Sequence, residues 1–190
     1  MKMFASVALL LGLLGVGWAH AASRYEEPAW ELVEEVEGME LRRYADTVQA
    51  ETVMTSGRND GFRVLAGYIF GGNEEQASIA MTVPVTTQSS EAGRVMRFTM
   101  PSAYQLDTLP EPADGRVELV EVPGGEMLAL RFSGRMTAQL EAEHTAELLA
   151  GAERAGLEVL GEPLLAQYNQ PWIPGPLRRN EVLVRVKASR

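Results

Sequence analysis

The sequence predicts an α+β fold: a distorted antiparallel β-barrel of two pseudo-symmetric halves, each with the order strand, strand, helix, strand, strand. Short runs of alternating apolar and polar residues, separated by glycine turns, are typical of an antiparallel sheet with one wet face. Two stretches with helical spacing interrupt these runs at equivalent places. Such a repeat implies two similar halves whose sheets close on one another, with one helix flanking each half.

The first half spans roughly residues 30–101. Alternating runs predict strands at residues 30–36 and 39–44, a further run at 48–55, and two more strands at 79–87 and 95–100. Between them lies a helical spacing that ends at Gly71 and Gly72. The expected core stripe of this first helix is Phe62, Leu65, Ala66 and Ile69.

The second half, roughly residues 117–187, repeats this order. Residues 117–122 and 127–132 flank a Gly124-Gly125 turn and are predicted to form a hairpin, followed by a helix from 138 to about 155. Strands are expected at 158–167 and 181–186. The segment Gly-Met-Glu-Leu at 38–41 is similar to Gly-Glu-Met-Leu at 125–128, which equates the two hairpins.

The N-terminal segment has the pattern of a secretory signal peptide, residues 1–21. Lys2 precedes an apolar run at 3–16, and the small-x-small triplet Ala19-His20-Ala21 follows. The alternative is a membrane anchor, but the apolar run is shorter than the roughly 20 residues of a spanning helix. We therefore expect a single domain at residues 22–190, located in the periplasm or secreted, with no membrane insertion after cleavage.

Composition excludes several classes of function. The chain has no cysteine, so thiolate ligands, thiol nucleophiles and disulfides are absent. It carries 17 basic and 26 acidic side chains, a net charge of −9 with histidine neutral, and Lys2 belongs to the signal segment. This charge repels a phosphate backbone, so nucleic acid is not an expected partner.

Six short segments together resemble the SOUL haem-binding protein family. In order and spacing they cover nearly the whole mature chain: residues 40–44 (ELRRY), 67–73 (GYIFGGN), 81–85 (MTVPV), 96–101 (MRFTMP), 168–174 (YNQPWIP) and 178–182 (RRNEV). The resemblance implies a pseudo-two-fold barrel with two helices that binds haem or a porphyrin non-covalently in an open hydrophobic groove beside the first helix. The chain is also similar to ligand-binding domains related to bacterial gyrase-inhibitory proteins, which bind small amphipathic molecules.

A haem groove needs an apolar wall and a cation for the propionates. Val64 and Tyr68, at positions i and i+4 of the first helix, form a second apolar strip that can supply the wall. Arg63 on the same helix suits a bidentate contact with a propionate. The alternatives are that both apolar strips belong to the core and that Arg63 is a solvated surface residue.

Two further binding candidates lie near the end of the chain. Trp172, between Pro171 and Pro174, is a possible stacking surface for a porphyrin or a plug over the end of the barrel. Arg178 and its neighbour Arg179 are a possible propionate site or partners of structural ion pairs.

His144 is the one histidine outside the signal segment and the candidate ligand for haem iron. Its alternative role is structural, because it lies at the margin of the apolar stripe of the second helix. Tyr68, a methionine such as Met81, or no ligand at all are the remaining options for the iron.

The function expected from these observations is tetrapyrrole binding, for haem buffering or transfer. The alternative is an interaction or sensor module that takes another amphipathic small molecule or a peptide. An enzyme is not expected: the sequence has no G-x-S-x-G elbow or phosphate-binding glycine loop, and one histidine without cysteine cannot form a structural zinc site. An enzyme that acts on haem has little chemical support in these residues.

The signal segment generates the first testable prediction. Protein recovered from the exported fraction should begin at Ala22, because cleavage is expected after the small residue Ala21. Intact-mass measurement of that fraction checks this. Recovery of the chain in a membrane pellet with Met1 retained would instead support the anchor.

Overall fold

The computed structural model describes residues 25–55 and 58–188, so the predicted signal segment at 1–21 lies outside the described residues. The two helices are α1, Arg58–Ile69, and α2, Ala138–Arg154. Neither described helix is long and apolar enough to cross a bilayer. The strands are β1 (Trp30–Val36), β2 (Met39–Tyr44), β3 (Thr47–Val53), β4 (Val85–Ser90), β5 (Gly93–Thr99), β6 (Glu118–Val122), β7 (Gly125–Phe132), β8 (Leu157–Val159), β9 (Leu164–Gln167) and β10 (Asn180–Ala188).

All ten strands join one antiparallel sheet, which confirms the predicted fold class. Nine strands follow the order β1-β2-β7-β10-β9-β4-β5-β3-β6, and β8 pairs with β10. One cleft touches residues of β1 and β6, the two ends of this path, so the sheet curls around it as a half-barrel. Such curling follows from the right-handed twist of strands.

The strand order confirms the predicted pseudo-two-fold repeat. If β2-β3-α1-β4-β5 is matched with β6-β7-α2-β9-β10, the sheet order from β2 to β6 becomes its own reverse. The helices follow the same pseudo-two-fold symmetry, because α1 packs on β3 and β5 while α2 packs on their equivalents β7 and β10. The pseudo-axis therefore passes between the central strands β4 and β9, and β1 and β8 are additions to the repeat.

The predicted hairpin of β6 and β7 is wrong. β6 pairs with β3, whereas β7 lies between β2 and β10. The link between them crosses the backbone at Tyr44 and Ala45 so closely that a Cβ at Gly124 would overlap it. Gly124 and Gly125 thus lie where two chain segments approach closely. The predicted equivalence of residues 38–41 with 125–128 is wrong, because in the repeat β2 corresponds to β6 and not to β7.

The strand expected from residue 79 begins only at Val85. Pro84 has no backbone N–H to donate to a ladder, so regular pairing starts after it. Before it, the chain is held by single contacts, including the hydrogen bond from Ile79 N to the carbonyl oxygen of Ile69.

Both helices cover the same, convex face of the sheet. In the central register Leu165, Thr87 and Met96 stand opposite one another, and Leu165 packs in the α2 cluster while Met96 packs in the α1 cluster. The α2 helix starts at Thr137, whose side chain accepts a hydrogen bond from Leu140 N at 3.1 Å. With the helices on this side, the concave side of the sheet stays open.

The packing of α2 can be tested with two adjacent leucines. Leu148 is fully buried between α2 and the sheet, whereas Leu149 is partly exposed. Leu148→Ala should lower the free energy of unfolding by about 2–5 kcal/mol because it leaves a cavity. Leu149→Ala should change it by roughly 0.5 kcal/mol or less. Urea unfolding measures both, and equal losses would contradict the assigned face of α2.

Candidate functional site

The outward side of α1 carries apolar side chains in contact with solvent. Phe62 is 43% and Phe70 67% exposed, and Ala66 lies between them at helical spacing. We call Phe62, Arg63, Ala66, Gly67 and Phe70 the α1 surface. Phe62 and Ala66 were expected in the core stripe, so for these two residues that expectation is wrong. Phe62 instead contacts the edge of the Phe98 ring with only part of its side chain, at a centroid distance of 5.4 Å.

Val64 and Tyr68 lie in the core with Leu65 and Ile69. The Tyr68 hydroxyl donates to the carbonyl oxygen of Pro110 at 2.9 Å, and burial raises the pKa of this phenol to about 12. Tyr68 is therefore a neutral, bonded core residue. The sequence left open whether Val64 and Tyr68 line a groove or belong to the core, and the structure places both in the core. Only a small part of the two side chains reaches the surface beside α1.

A shallow depression of about 530 Å³ lies between α1 and the link that precedes β6. Its rim carries Asp60, Arg63, Asp114 and Arg116. Arg116 pairs with Asp114 at 2.6 Å, and this hydrogen bond lowers the pKa of the Asp114 carboxyl. Arg63 is exposed and forms no ion pair with a carboxylate in the described part of the chain. It is therefore the rim cation that remains available to an anionic ligand.

The loop between β9 and β10 presents Trp172 to solvent. Trp172 is 77% exposed, so it does not fill the end of the barrel. Arg178 holds this loop in shape by donating to the carbonyl oxygens of Ile173, at 2.8 Å, and Pro171. Gln167 at the end of β9 pairs with Val85 at the start of β4, so this loop leaves the sheet at the end where α1 also terminates.

His144 is remote from the α1 surface. It lies on α2, stacked on Phe132 at 4.0 Å between ring centroids, and its Nδ1 is 3.1 Å from a carboxylate oxygen of Glu147. α1 and α2 are four strand positions apart in the sheet, about 19 Å at the usual strand spacing. The structure therefore does not bring His144 together with Arg63, and gives the histidine a packing role on α2.

The open side of the sheet forms a second candidate site, which we call the concave cleft. Its volume is about 410 Å³, within the range of small-molecule sites. Its lining combines aromatic and aliphatic side chains with a few polar groups, among them Trp30, Tyr44, Met127, Tyr168, Leu183, Gln49, Thr86, Arg97 and Arg185.

Next to this cleft lies a buried charged network that sequence reasoning missed. The Glu181 carboxylate is fully buried and accepts hydrogen bonds from Arg42 at 2.8 and 3.1 Å, from Arg179 at 3.0 Å and from the Tyr168 hydroxyl at 2.7 Å. Arg42 also donates to the Tyr44 hydroxyl at 3.1 Å. We call these five residues the Glu181 network.

Burial and neighbouring charges set the protonation states within the network. Burial alone raises the pKa of the Glu181 carboxyl, but Arg42 and Arg179 together outweigh it and hold the pKa below its ordinary value. Burial, together with the negative charge of Glu181, raises the pKa of Tyr168 well above the usual phenol value. The network therefore contains an ionised carboxylate and two cations at neutral pH, with both tyrosines protonated.

The arginines also stack on aromatic rings. Arg42 lies 4.4 Å from the ring centroid of Trp30, and Arg179 lies 3.6 Å from that of Tyr168. Arg179 forms a further ion pair with Glu27 at 2.9 Å. Of the two roles that the sequence left open for Arg179, a propionate site or a structural ion pair, the structure shows the ion pair. The signal in the sequence was the closeness of two arginines and Glu181 within the segment RRNEV at 178–182. That segment does not indicate that Arg42, distant in the chain, also binds the Glu181 carboxylate.

The fold and these two surfaces define a small α+β ligand-binding module. A family model for the SOUL heme-binding protein matches residues 25–185, and the chain belongs to this family, whose members bind haem non-covalently. The chain is 27% identical over 177 residues to heme-binding protein 2 of Mus musculus, covering 84% of this chain and 85% of that protein. It is 28% identical over 169 residues to heme-binding protein 2 of Homo sapiens, covering 80% and 82%.

Solved structures support the fold. The EcmrR C-terminal domain superposes with a TM-score of 0.57 at 10% identity, covering 78% of this chain and 96% of that domain. A protein from Listeria innocua described as a hydrolase superposes with a TM-score of 0.55 at 13% identity, covering 88% and 94%. At these identities the likeness concerns architecture alone.

The residues of the α1 surface fit a non-covalent haem or porphyrin. Two exposed phenylalanine rings offer apolar contact, and Arg63 offers a cation that pairs with no carboxylate in the part of the chain that the structure describes. Axial ligation fits less well, because His144 lies on the other helix and the Tyr68 hydroxyl is bonded to Pro110.

The Glu181 network can be tested by replacing its carboxylate. Glu181→Gln should lower the free energy of unfolding at pH 7 by about 3–5 kcal/mol, because it leaves the buried Arg42 and the half-buried Arg179 without their shared anion. Because the folded pKa lies below the ordinary 4.5, the stabilisation is fully present above that pH and is lost as the pH falls further. Urea unfolding from pH 7 to pH 3 should therefore show the difference between wild type and variant shrinking below about pH 4.5.

The matched control is Glu126→Gln, which removes an exposed ion pair with Arg43 at 2.7 Å. It should change the unfolding free energy by about 0–1 kcal/mol at every pH. A Glu181 variant that behaves like this control would refute the network as a source of stability.

Proposed function

We propose that this protein is an exported tetrapyrrole-binding protein that takes haem or a porphyrin on the α1 surface. The observation that carries the proposal is the exposure of Phe62 on α1 and of Phe70, directly after its end, beside Arg63, which forms no ion pair with a carboxylate of the described residues. Large apolar side chains held in solvent are a common feature of ligand and partner sites. Membership of a haem-binding family supports the choice of ligand.

The binding energy in this proposal comes mainly from apolar contact. Covering a phenylalanine side chain contributes about 1.5–3 kcal/mol. Arg63 orients the ligand by pairing with a propionate, which suits the planar guanidinium. Trp172 projects into solvent from the loop between β9 and β10, and in this proposal its ring is a further stacking surface for the macrocycle.

The proposed role is buffering or transfer of the ligand outside the cytoplasm. An open surface, as opposed to an enclosed cavity, permits exchange with a donor or acceptor, as transfer requires. Export is supported by the signal-like pattern of residues 1–21. The proposed activity is binding, without chemistry on the ligand.

Titration with hemin and with metal-free protoporphyrin IX tests the proposal. Both should bind with similar affinity, because apolar contact and Arg63 act on the macrocycle and not on the iron. Phe62→Ser with Phe70→Ser should weaken both by about a hundredfold, from the loss of two apolar contacts. Arg63→Met should weaken both about tenfold, and His144→Ala should change neither. Quenching of protein fluorescence and the porphyrin absorption band measure the affinities.

The control is Leu32→Ser, since Leu32 is an exposed apolar residue of edge strand β1, away from α1. It should leave both affinities unchanged. Loss of hemin binding alone in His144→Ala, with a shifted absorption band and intact porphyrin binding, would replace the α1 surface by axial ligation on α2.

A further inference from the structure

The concave cleft lies on the opposite face of the sheet from α1 and is not explained by the proposed haem site. Residues that stand opposite one another in the sheet register, Ala166, Thr86, Arg97 and Glu51, form its floor. The rings of Trp30, Tyr44 and Tyr168 lie at one end, towards the Glu181 network. This arrangement gives an apolar pocket with polar groups at defined positions, the usual form of a small-molecule site.

Most charges that face the cleft are neutralised within the protein. Arg97 pairs with Glu51 at 2.6 Å, and Glu27 pairs with Arg179 at 2.9 Å. The Glu181 carboxylate, which would otherwise attract a cation, is already shared by two arginines. A positively charged ligand therefore meets no unpaired carboxylate at this end of the cleft.

Arg185 differs from Arg97, the other arginine that lines the cleft. It is half-buried on β10, and it forms no ion pair with a carboxylate among the described residues. Its guanidinium donates instead to two carbonyl oxygens, those of Gly124 at 2.8 Å and Pro123 at 2.7 Å. These two bonds leave N–H donors of the five-donor guanidinium for a ligand.

The backbone is shaped to hold this guanidinium. Gly125 has a φ of +144°, and a Cβ at this position would lie 2.7 Å from Nη1 of Arg185. Met127 stands opposite Arg185 in the register, and Leu183 lies two residues before it on the same face. A fixed cation thus adjoins apolar side chains inside one cleft.

We infer that the concave cleft is a second binding site, for a small aromatic carboxylate whose anionic group pairs with Arg185. The apolar body of the ligand lies against Met127 and Leu183 and extends towards Trp30. Of the described carboxylates that line the cleft, Glu27 and Glu51 are paired with arginines, whereas Glu162, on the exposed rim in the loop before β9, forms no such ion pair and disfavours an anion. This site goes beyond the proposed function, since it uses the other face of the sheet.

Nuclear magnetic resonance with 2-naphthoate as the probe tests this inference. The indole N–H signal of Trp30, which lines the cleft, should shift on titration, whereas the signal of Trp172 should not. Arg185→Met should weaken naphthoate binding about tenfold or more, because it removes a charge-assisted hydrogen bond. Glu162→Gln should tighten it, because it removes a like charge from the rim. Neutral 2-naphthamide should bind more weakly than naphthoate to wild type and should not respond to either substitution.

Arg185→Lys is the control for the hydrogen bonds of Arg185 to Pro123 and Gly124 in the link between β6 and β7. It keeps a cation at this position and should retain part of the naphthoate affinity. If Arg185→Met does not fold, Glu162→Gln still decides the result. Equal affinities for naphthoate and naphthamide, or a shift at Trp172 in place of Trp30, would overturn the inference. Hemin binding to Arg185→Met should equal that of wild type, so failure at this cleft is distinguishable from failure of the α1 surface.

Discussion

The buried Glu181 carboxylate is the constraint around which the structure is organised. It lies on β10, an interior strand of the sheet, and is fully buried, so its charge must be matched by the protein. The matching cations come from β2 and from the end of the loop before β10, and the hydroxyl comes from Tyr168 after β9. Glu27 extends the network to the N-terminal segment. Two strands, β2 and β10, the loop between β9 and β10 and the N-terminal segment are thereby held together by one network of ion pairs and hydrogen bonds.

The two faces of the sheet differ in chemistry. The convex face carries two apolar clusters and is covered by α1 and α2, each on the equivalent pair of strands in its half, with the Arg94–Glu141 ion pair between β5 and α2. The concave face contains the Glu181 network and the cleft, where polar strand positions point towards one another across the curl. One sheet can therefore present an apolar helix surface on one side and a polar-lined cleft on the other, as the proposed haem surface and the inferred carboxylate site require.

The two halves of the pseudo-two-fold repeat present unequal surfaces to a ligand, although their helices occupy equivalent positions. α1 exposes Phe62 and Phe70, whereas in α2 the partly exposed His144 is stacked on Phe132 and bonded to Glu147. β1 adds to the sheet beside β2, whereas no strand of the described residues is added beside its equivalent β6. The fold repeats because packing requirements repeat, while the exposed side chains of each half are free to differ.

The sequence by itself determined the α+β class, the two helices, most strand bounds and the repeat, because these follow from local periodicity and glycine placement. Only the tertiary structure decided the pairing of β6 with β3, since strand partners distant in the chain leave no local pattern. It also decided which residues of α1 are buried: Leu65 and Ile69 are in the core as expected, Val64 and Tyr68 join them, and Phe62 is exposed. Both apolar strips satisfy helical periodicity, and only the direction from which the sheet approaches decides which members of each are buried. The Glu181 network was hidden for the same reason: Arg42 and Glu181 are 139 residues apart, and only the curl of the sheet brings them together.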